Sequence, residues 1–344
     1  MRVGFCDDPA FHEHDAGPGH PERPERLDAV RLGLAESGLA DDLLPLPARP
    51  ATREELLRVH TEAHVDRLAA AAGRRVRIDP DTAMSPRSHE AAVRAAGCVV
   101  EAVESVLDGR MDRAFCSVRP PGHHATPGRA MGFCLFNNVA VAAAAALARG
   151  LSRVAVIDID VHHGNGTQEA FWRDPRVLFV SSHQFPFYPG TGSLDELGQG
   201  DGRGFTVNLP LPAGTGDAEY AVAYREIVEP VGRAFDPELV LVSAGFDAHR
   251  DDPLGGMAVS ARGFAEMMDV CLGVASGAAR GRLVAVLEGG YDLDGLASSA
   301  AATVGRMLER PHASLAGAPA PAFAKRLLAF RATHARHWPV LDRR

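Results

Sequence analysis

The segment IDIDVHHGNG, residues 157–166, concentrates side chains that could bind a metal ion. In an extended segment side chains alternate, so Asp158, Asp160 and His162 fall on one side and His163 on the other. Two carboxylates that leave a Val/Ile-rich strand are costly to bury unless a cation or several donors compensate them. Asp160 and His162 lie farther from the strand and are candidate ligands, whereas Asp158 lies deeper and is better placed to orient another residue. A D-x-H pattern by itself is more typical of a turn cap beside an ordinary loop histidine, so the interpretation depends on other residues.

Asp247 supplies a candidate third ligand. It ends the apolar segment LVLVSAGFD, residues 239–247, and so follows another predicted strand. Catalytic zinc sites commonly keep three protein ligands and one open position. The sequence therefore predicts a Zn²⁺ site formed by Asp160, His162 and Asp247.

Two further strand ends carry residues suited to acid–base chemistry. His123 and His124 follow a Pro-Pro-Gly turn, which can hold an imidazole where a general base acts on water. Tyr291 follows two glycines in LEGGYDL, where a phenol can donate to an oxyanion. In isolation the histidine pair would be incidental and the tyrosine an ordinary packed side chain. Their shared position after strands favours the catalytic interpretation.

Short, continuous apolar runs predict the strands that position these residues. Continuous runs are typical of strands buried on both faces. They cover residues 114–118, 153–158, 177–181, 205–209, 239–243 and 283–287. Predicted helices cover residues 21–37, 62–72, 86–107, 137–149, 217–235, 261–279, 293–308 and 321–332. The alternation indicates a parallel α/β sheet, and ligands bind beyond the carboxyl ends of such strands.

Composition limits the function classes. With 36 basic and 44 acidic residues the formal net charge is −8, and no basic block occurs, which argues against nucleic acid or an anionic membrane as the main partner. The five cysteines are far apart and the first residues lack the apolar core of a signal peptide, so we expect a cytoplasmic location. No linker or repeat divides the chain, so we expect one domain. Homo-oligomerisation is left open.

Together the motifs resemble the zinc-dependent histone deacetylase family, which includes acetylpolyamine amidohydrolases and bacterial acetoin-utilisation proteins. RPPGHHA, GFCLFNN, IDIDVHHGNGT, PGTG, AGFDAH, DPLGG and EGGYDL occur in the family's order. HPERPERL and the asparagine of HHGNGT resemble the class II branch and its bacterial relatives. The resemblance covers residues 19–296 of a single deacetylase domain spanning 1–344, with a helical extension at 297–344. It implies the arginase-deacetylase fold, an α/β domain around an eight-stranded, mainly parallel sheet flanked by helices.

The resemblance implies two cation sites. Asp160, His162 and Asp247 match the family's zinc ligands, and Tyr291 matches the tyrosine that stabilises the oxyanion. The family also holds a buried structural K⁺ or Na⁺, largely through backbone oxygens. The residues that match this second site are Asp158, Asp160, His162, Ser181 and Ser182.

The resemblance also gives the two histidines different roles. His124 matches the general base and acid, and His123 matches the histidine that supports it electrostatically. Asp158 matches the aspartate behind His123, whereas Asn165 stands behind His124 where class I members have aspartate. A neutral amide stabilises an imidazolium less than a carboxylate does, so the two histidines should differ strongly in basicity.

Substrate contacts follow from the same resemblance. Phe133 and Tyr188 match the two aromatics of the acyl-lysine tunnel, although the second is more often phenylalanine. Asp81 matches the rim aspartate that grips the substrate backbone, and Arg26 matches the arginine of an internal product channel. Leu254 lies where polyamine-selective relatives have a glutamate, so an apolar stem such as that of acyl-lysine is expected.

The predicted function is zinc-dependent removal of acyl groups from N-acyl-lysine in peptides or proteins, with an acetylated small amine as the alternative substrate. Two different functions fit the sequence less well. An arginase-like hydrolase with two manganese ions needs bridging carboxylates where Ser243, Ala244 and Gly245 stand. A non-catalytic acyl-lysine binder has no need for Tyr291 and both tandem histidines.

Other histidines form patterns that we interpret without catalysis. HTEAH, residues 60–64, places its glutamate one position late for a zincin motif, so we expect a helix start with exposed histidines. His12, His14 and His20 indicate a loop at the substrate mouth, with a second metal site as the alternative.

Overall fold

One eight-stranded sheet forms the centre of the computed structural model, which describes residues 1–313, 315 and 317–342. Its order is β2-β1-β5-β10-β9-β6-β7-β8, and all seven pairings are parallel. The strands are β1 Val3–Cys6, β2 Leu43–Pro45, β5 Arg113–Cys116, β6 Val154–Asp158, β7 Val177–Gln184, β8 Thr206–Leu211, β9 Leu239–Ala244 and β10 Leu283–Leu287. A separate antiparallel pair consists of β3 Val76–Arg77 and β4 Ala83–Met84. The predicted single α/β domain with an eight-stranded sheet is confirmed.

Helices pack around the sheet. They are α1 Glu25–Glu36, α2 Arg53–Leu57, α3 Glu62–Ala70, α4 Ser88–Leu107, α5 Asn138–Ala148, α6 Asn165–Phe171, α7 Asp217–Ala223, α8 Glu229–Phe235, α9 Ala261–Ala275, α10 Leu293–Met307 and α11 Phe323–His334. Helix α10 packs against both α1 and α9, while α4 packs against α5. Every residue of β5 to β10 is buried, which explains the continuous apolar runs in the sequence.

The six strands expected from apolar runs are all present, but β1 and β2 were not expected from their sequence patterns. Strand β1 has four residues and β2 has three, and β2 ends at a proline and has two exposed positions. Such short edge segments carry too little periodicity to be recognised. The helix expected over residues 217–235 is continuous but contains a π-helical turn, Tyr224–Val228, between α7 and α8.

The strand order brings the chemically active loops together. Strands β5, β10, β9, β6 and β7 are consecutive in the sheet. Because all are parallel, the loops that follow them meet at one edge. These loops carry RPPGHH, EGGYD, GFD, DVHH and the segment before PGTG.

The cysteines show one feature that the sequence did not suggest. Cys6 and Cys98, 92 residues apart, are joined by a disulfide bond, whereas Cys116, Cys134 and Cys271 are free and buried.

Within the described ranges, no helix has the length and apolarity needed to cross a membrane.

Candidate active site

Asp160, His162 and Asp247 form a compact group of potential metal ligands. One ligand atom from each lies within 4.8 Å of the others, and all three residues are largely buried. His162 Nδ1 lies 3.2 Å from Asp160 Oδ1 and 3.1 Å from Asp247 Oδ2. In the part of the chain that the structure describes, this is the one group of three such side chains whose ligand atoms come so close.

Backbone donors fix both carboxylates. Asp160 accepts hydrogen bonds from the backbone N–H groups of His162, at 2.9 Å, and Gly289, at 2.8 Å. Asp247 accepts from Val161 N–H at 2.8 Å, so the loops after β6, β9 and β10 brace one another. Each carboxylate therefore has a fixed orientation and still presents an oxygen to His162.

The charge balance of this group suits a cation. Burial together with the negative charge of Asp160 raises the pKa of Asp247 to about 7. Burial also opposes ionisation of Asp160, but His123 and His162 lower its pKa below the usual range. Two buried carboxylates beside one imidazole are a donor set that a divalent ion would neutralise, and catalytic zinc accepts nitrogen and oxygen ligands in threes. The residues present fit zinc.

His123 and His124 lie side by side with their ring centroids 4.0 Å apart. His123 Nδ1 donates to Asp158 Oδ2 at 3.0 Å, and His124 Nδ1 donates to Asn165 Oδ1 at 2.8 Å. Asn165 Nδ2 points at the sulfur of Met131, 3.5 Å away, so its oxygen faces His124. A histidine that donates through Nδ1 carries its free electron pair on Nε2, the form that a general base needs.

The two histidines differ in basicity for identifiable reasons. Burial opposes the charge of His123, but the carboxylates of Asp160 and Asp158 raise its pKa well above the usual value. Burial lowers the pKa of His124 well below the usual value, and the positive charges of His123 and His162 lower it further. His124 is therefore the unprotonated member of the pair at neutral pH.

Tyr291 reaches the same cavity from the end of β10. The guanidinium of Arg26 lies 4.9 Å from the centre of its ring, and Arg26 Nε donates to the carbonyl of Gly290 at 2.6 Å. Gly290 has a φ of 117°, which other residues rarely adopt. The phenol is largely buried, with 9% of the residue exposed. These contacts set the direction in which the tyrosine leaves the strand.

A cavity of about 220 Å³ leads to this group of residues. Its lining consists of Asp81, His124, Gly132, Phe133, His162, Phe187, Tyr188, Leu254 and Tyr291. Phe133 has a φ of 67°, in the left-handed region, and its ring meets that of Tyr291 edge-on at 5.8 Å. Tyr188 is 38% exposed and its ring lies 5.1 Å from that of His124. The four residues expected to contact substrate, Asp81, Phe133, Tyr188 and Leu254, thus line one cavity.

The mouth of the cavity is held by a hydrogen-bond chain. Thr82 Oγ1 donates to Asp81 Oδ1 at 2.8 Å and accepts from the backbone N–H of Phe133 at 3.1 Å. His20 Nε2 donates to the carbonyl of Asp81 at 3.1 Å, and its ring packs edge-on against Phe133 at 4.6 Å. His20 therefore lies at the mouth, whereas His14 is buried beside Ser88 at 2.7 Å.

The serines expected at the monovalent-cation site lie in the buried strand β7. Ser181 pairs in register with Asp158 across β7 and β6. Ser181 Oγ is bonded to His183 Nδ1 at 2.9 Å, and Ser182 Oγ to the hydroxyl of Tyr224 at 2.8 Å. Both side chains have protein partners, so a cation here would depend on backbone oxygens, and the site stays a prediction.

The structure also corrects the expectation for the histidines of HTEAH, and it adds residues to the site. His60 and His64 are buried, not exposed. Their rings have hydrogen-bond partners in the interior, since His60 Nδ1 donates to the carbonyl of Thr126 at 3.1 Å and His64 Nε2 donates to that of Leu135 at 2.9 Å. They hold the loops that approach the site. Phe187 stacks on the ring of His162, with the centroids 5.4 Å apart. Its place beside Tyr188 is the sequence signal that could have found it.

Glu288 is a second addition. Its buried carboxylate accepts from the backbone N–H groups of Gly122, at 2.6 Å, and His123, at 3.1 Å. It thereby joins the EGGY loop to the histidine pair.

Known proteins identify the family. A family model described as "Histone deacetylase domain" matches residues 20–307. The chain is 45% identical over 291 residues to the "Probable deacetylase" of Archaeoglobus fulgidus, which covers 83% of this chain and 81% of that protein. It is 42% identical over 332 residues to "Histone deacetylase 15" of Arabidopsis thaliana, covering 94% of this chain and 59% of the plant protein. The crystal structure of the HDA15 HD domain matches with a TM-score of 0.93 and 39% identity, over 99% of this chain and 96% of that one.

The similarity to these proteins and the geometry of the site point to the same family. The chain belongs to the histone deacetylase family, a family of hydrolases with deacetylase activity. It spans about three fifths of the plant protein's length.

Proposed function

We propose that this protein is a zinc-dependent deacylase of N-acyl-lysine side chains in peptides or proteins. The observation that carries the proposal is the convergence of Asp160, His162 and Asp247, together with the position of His162 in the wall of an aromatic-lined cavity. His124 and Tyr291 line the same cavity, so a base and an oxyanion donor reach the bottom from different strands. A non-catalytic binder would not require both groups beside a metal-binding set.

Asp160, His162 and Asp247 would hold one zinc ion, which when bound supplies Lewis-acid chemistry and lowers the pKa of water. His124 takes the proton of the attacking water through Nε2, since Nδ1 donates to Asn165. Tyr291 donates to the oxygen that becomes negative in the tetrahedral intermediate. His124 then returns a proton to the leaving amine. The products are a carboxylate and the deacylated lysine side chain of the peptide or protein.

The charge on His123 has a separate task. Asp158 and Asp160 favour its protonated form, and that positive charge keeps the neighbouring His124 neutral and able to accept a proton. The pair therefore divides the work between an electrostatic group and a base, as residues with oppositely shifted pKa values do in other hydrolases.

The proposed substrate is acyl-lysine because the cavity wall is apolar where a methylene stem would pass. Phe133, Phe187, Tyr188 and Leu254 line it, and Asp81 lies at the mouth, where it can accept from a peptide N–H. A leucine at position 254 gives no charge to attract a cationic amine. An acetylated polyamine remains the alternative substrate, because Asp81 is itself an acid at the mouth.

An arginase-like centre with two manganese ions is disfavoured by the observed group. The residues before Asp247 are Ser243, Ala244, Gly245 and Phe246, and none of them is a carboxylate.

We also propose that a K⁺ or Na⁺ ion binds near Asp158 and Ser181 as a structural ion, through backbone oxygens.

The experiment that tests the substrate assignment is a side-by-side measurement of kcat/KM for acetate release from an acetyl-lysine peptide and from N-acetylputrescine. We expect the peptide to be the better substrate. A clear preference for N-acetylputrescine would overturn the acyl-lysine assignment while leaving deacetylase chemistry intact. Release of acetate from neither substrate would favour a non-catalytic acyl-lysine binder.

A further inference from the structure

The segment between β9 and α9 contains a buried aspartate that bonds to two functional loops. We call residues 252–256, with the sequence DPLGG, the rim loop, because Leu254 within it lines the cavity. Asp252 is 5% exposed. Its Oδ1 accepts from Leu254 N–H at 2.9 Å, and its Oδ2 accepts from Tyr291 N–H at 2.6 Å and Asp292 N–H at 3.1 Å. One carboxylate thus joins the rim loop to the loop that carries the oxyanion tyrosine.

Tyr291 needs such an anchor because of what precedes it. Glu288 and two glycines connect β10 to Tyr291, and glycine restricts the backbone least of all residues. Arg26 holds the carbonyl of Gly290 and contacts the phenol ring, but it does not bind the N–H of Tyr291. Asp252 supplies the missing backbone contact, and hydrogen bonds to an ionised carboxylate are the stronger kind.

The anchor itself is fixed. Gly255 lies so close to the carbonyl of Asp247 that a Cβ atom at this position would overlap it. Gly256 N–H donates to Gln184 Oε1 at 2.8 Å, which ties the rim loop to the end of β7. The rim loop that contains Asp252 is therefore held against Asp247 and Gln184, and the backbone of Tyr291 is bonded to a fixed group.

We propose that Asp252 is a positioning residue that sets the Tyr291 hydroxyl against the reacting carbonyl, and that couples this position to the rim contact at Leu254. The inference rests on the proposed role of Tyr291. All three groups that face the carboxylate are N–H donors. An asparagine at position 252 offers one oxygen and one NH₂ group, so it places a donor against a donor on one side.

A double-mutant cycle tests the proposal on the full-length, zinc-containing protein. The variants are Asp252→Asn, Tyr291→Phe and the double substitution, each measured for kcat and KM on an acetyl-lysine peptide. We expect Asp252→Asn to lower kcat by about tenfold or more with a much smaller change in KM, and Tyr291→Phe by about a hundredfold. If Asp252 acts through the tyrosine hydroxyl, the double variant should be within about threefold of Tyr291→Phe alone.

A matched control separates positioning from a purely structural role. Asp217 also joins two segments, since it accepts from Ser260 N–H at 2.7 Å and from Ser260 Oγ at 2.6 Å, but it does not line the cavity. Asp217→Asn should lower the melting temperature without lowering kcat per bound zinc. Asp252→Asn should lower kcat per bound zinc. If Asp252→Asn does not fold, the double-mutant cycle is repeated with Asp252→Glu. This substitution keeps the negative charge but displaces the carboxylate.

The possible outcomes are distinct. A double variant whose loss equals the product of the two single losses would contradict the coupling of Asp252 to Tyr291, as would an unchanged kcat in the Asp252 variant. Near-normal turnover of Tyr291→Phe would instead contradict the role of the tyrosine in the proposed function.

Discussion

Replacing Asn165 by aspartate tests the division of labour between the two histidines. Asn165 Oδ1 accepts from His124 Nδ1 at 2.8 Å, and the equivalent acceptor for His123 is the carboxylate of Asp158. Asn165→Asp adds a negative charge at the same distance without a large change in shape. A carboxylate favours the protonated imidazolium, so the pKa of His124 should rise and the fraction of free base at neutral pH should fall.

The size of the effect can be worked from the geometry. At a charge separation of about 4 Å and an effective dielectric constant of about 20, two unit charges interact by about 4 kcal/mol. Because about 1.4 kcal/mol corresponds to one pKa unit, the rise in the pKa of His124 is at most about three units. Burial of the new carboxylate opposes its ionisation, so we expect a rise of about one to two units.

The assay is the pH dependence of kcat/KM, which reports the groups that titrate in the free enzyme. The acid limb of Asn165→Asp should move to higher pH by about one to two units, with activity recovering at alkaline pH. Asn165→Ala is the matched control, since it removes the acceptor without adding charge, and its acid limb should not move upward. An acid limb that is unchanged or moves to lower pH in Asn165→Asp would refute His124 as the base.

Three further predictions concern other residues. Tyr291→Phe should lower kcat by about a hundredfold while zinc content is unchanged, because it removes one oxyanion donor, and near-normal kcat would contradict that role. Leu254→Glu should shift the kcat/KM ratio toward N-acetylputrescine by about 1 kcal/mol, roughly fivefold, and an unchanged ratio at low salt would exclude position 254 as a selectivity determinant. Burial lowers the pKa of His334 from 6.5 to about 4, so the unfolded state binds its proton more readily and the free energy of unfolding should fall as pH drops from about 6.5 to about 4. His334→Asn should remove up to about 3 kcal/mol of that pH dependence in urea titrations, and an unchanged slope would show that His334 does not contribute to it.

The sequence contained most of the site because the chemistry lies at strand ends. The expected extended segment is only partly present, because strand β6 ends at Asp158 and residues 160–162 form bends. Hydrogen bonds from the backbone N–H groups of Asp160 to Asp158 and of His162 to Asp160, rather than strand alternation, place the two candidate ligands. The catalytic residues of other strands become neighbours as soon as the sheet is parallel. This reasoning predicted the sheet, the potential metal ligands, the histidine pair and Tyr291. The family resemblance supplied the other predicted lining residues, Asp81, Phe133, Tyr188 and Leu254, whereas Phe187 was not predicted.

Other features could not be inferred because their signal is not in side-chain spacing. Asp252 and Glu288 bind backbone N–H groups of distant segments, and no sequence pattern reports which backbone donors lack a partner. His60 and His64 lie in a segment of polar residues, yet both rings are buried and hydrogen-bonded to backbone carbonyl groups of a later part of the chain. Strand β2 exists because β1 offers it a parallel partner, which a three-residue apolar run cannot reveal.

Metal analysis of the purified full-length chain, combined with acetate release from an acetyl-lysine peptide, tests the central claim most directly. We expect one equivalent of zinc per chain, loss of activity when a chelator removes it, and recovery on addition of zinc. Asp160→Ala and Asp247→Ala should each lose zinc and activity together, since each removes one of three protein ligands. Two equivalents of manganese per chain, or activity that persists after the metal is removed, would contradict the single-zinc deacylase.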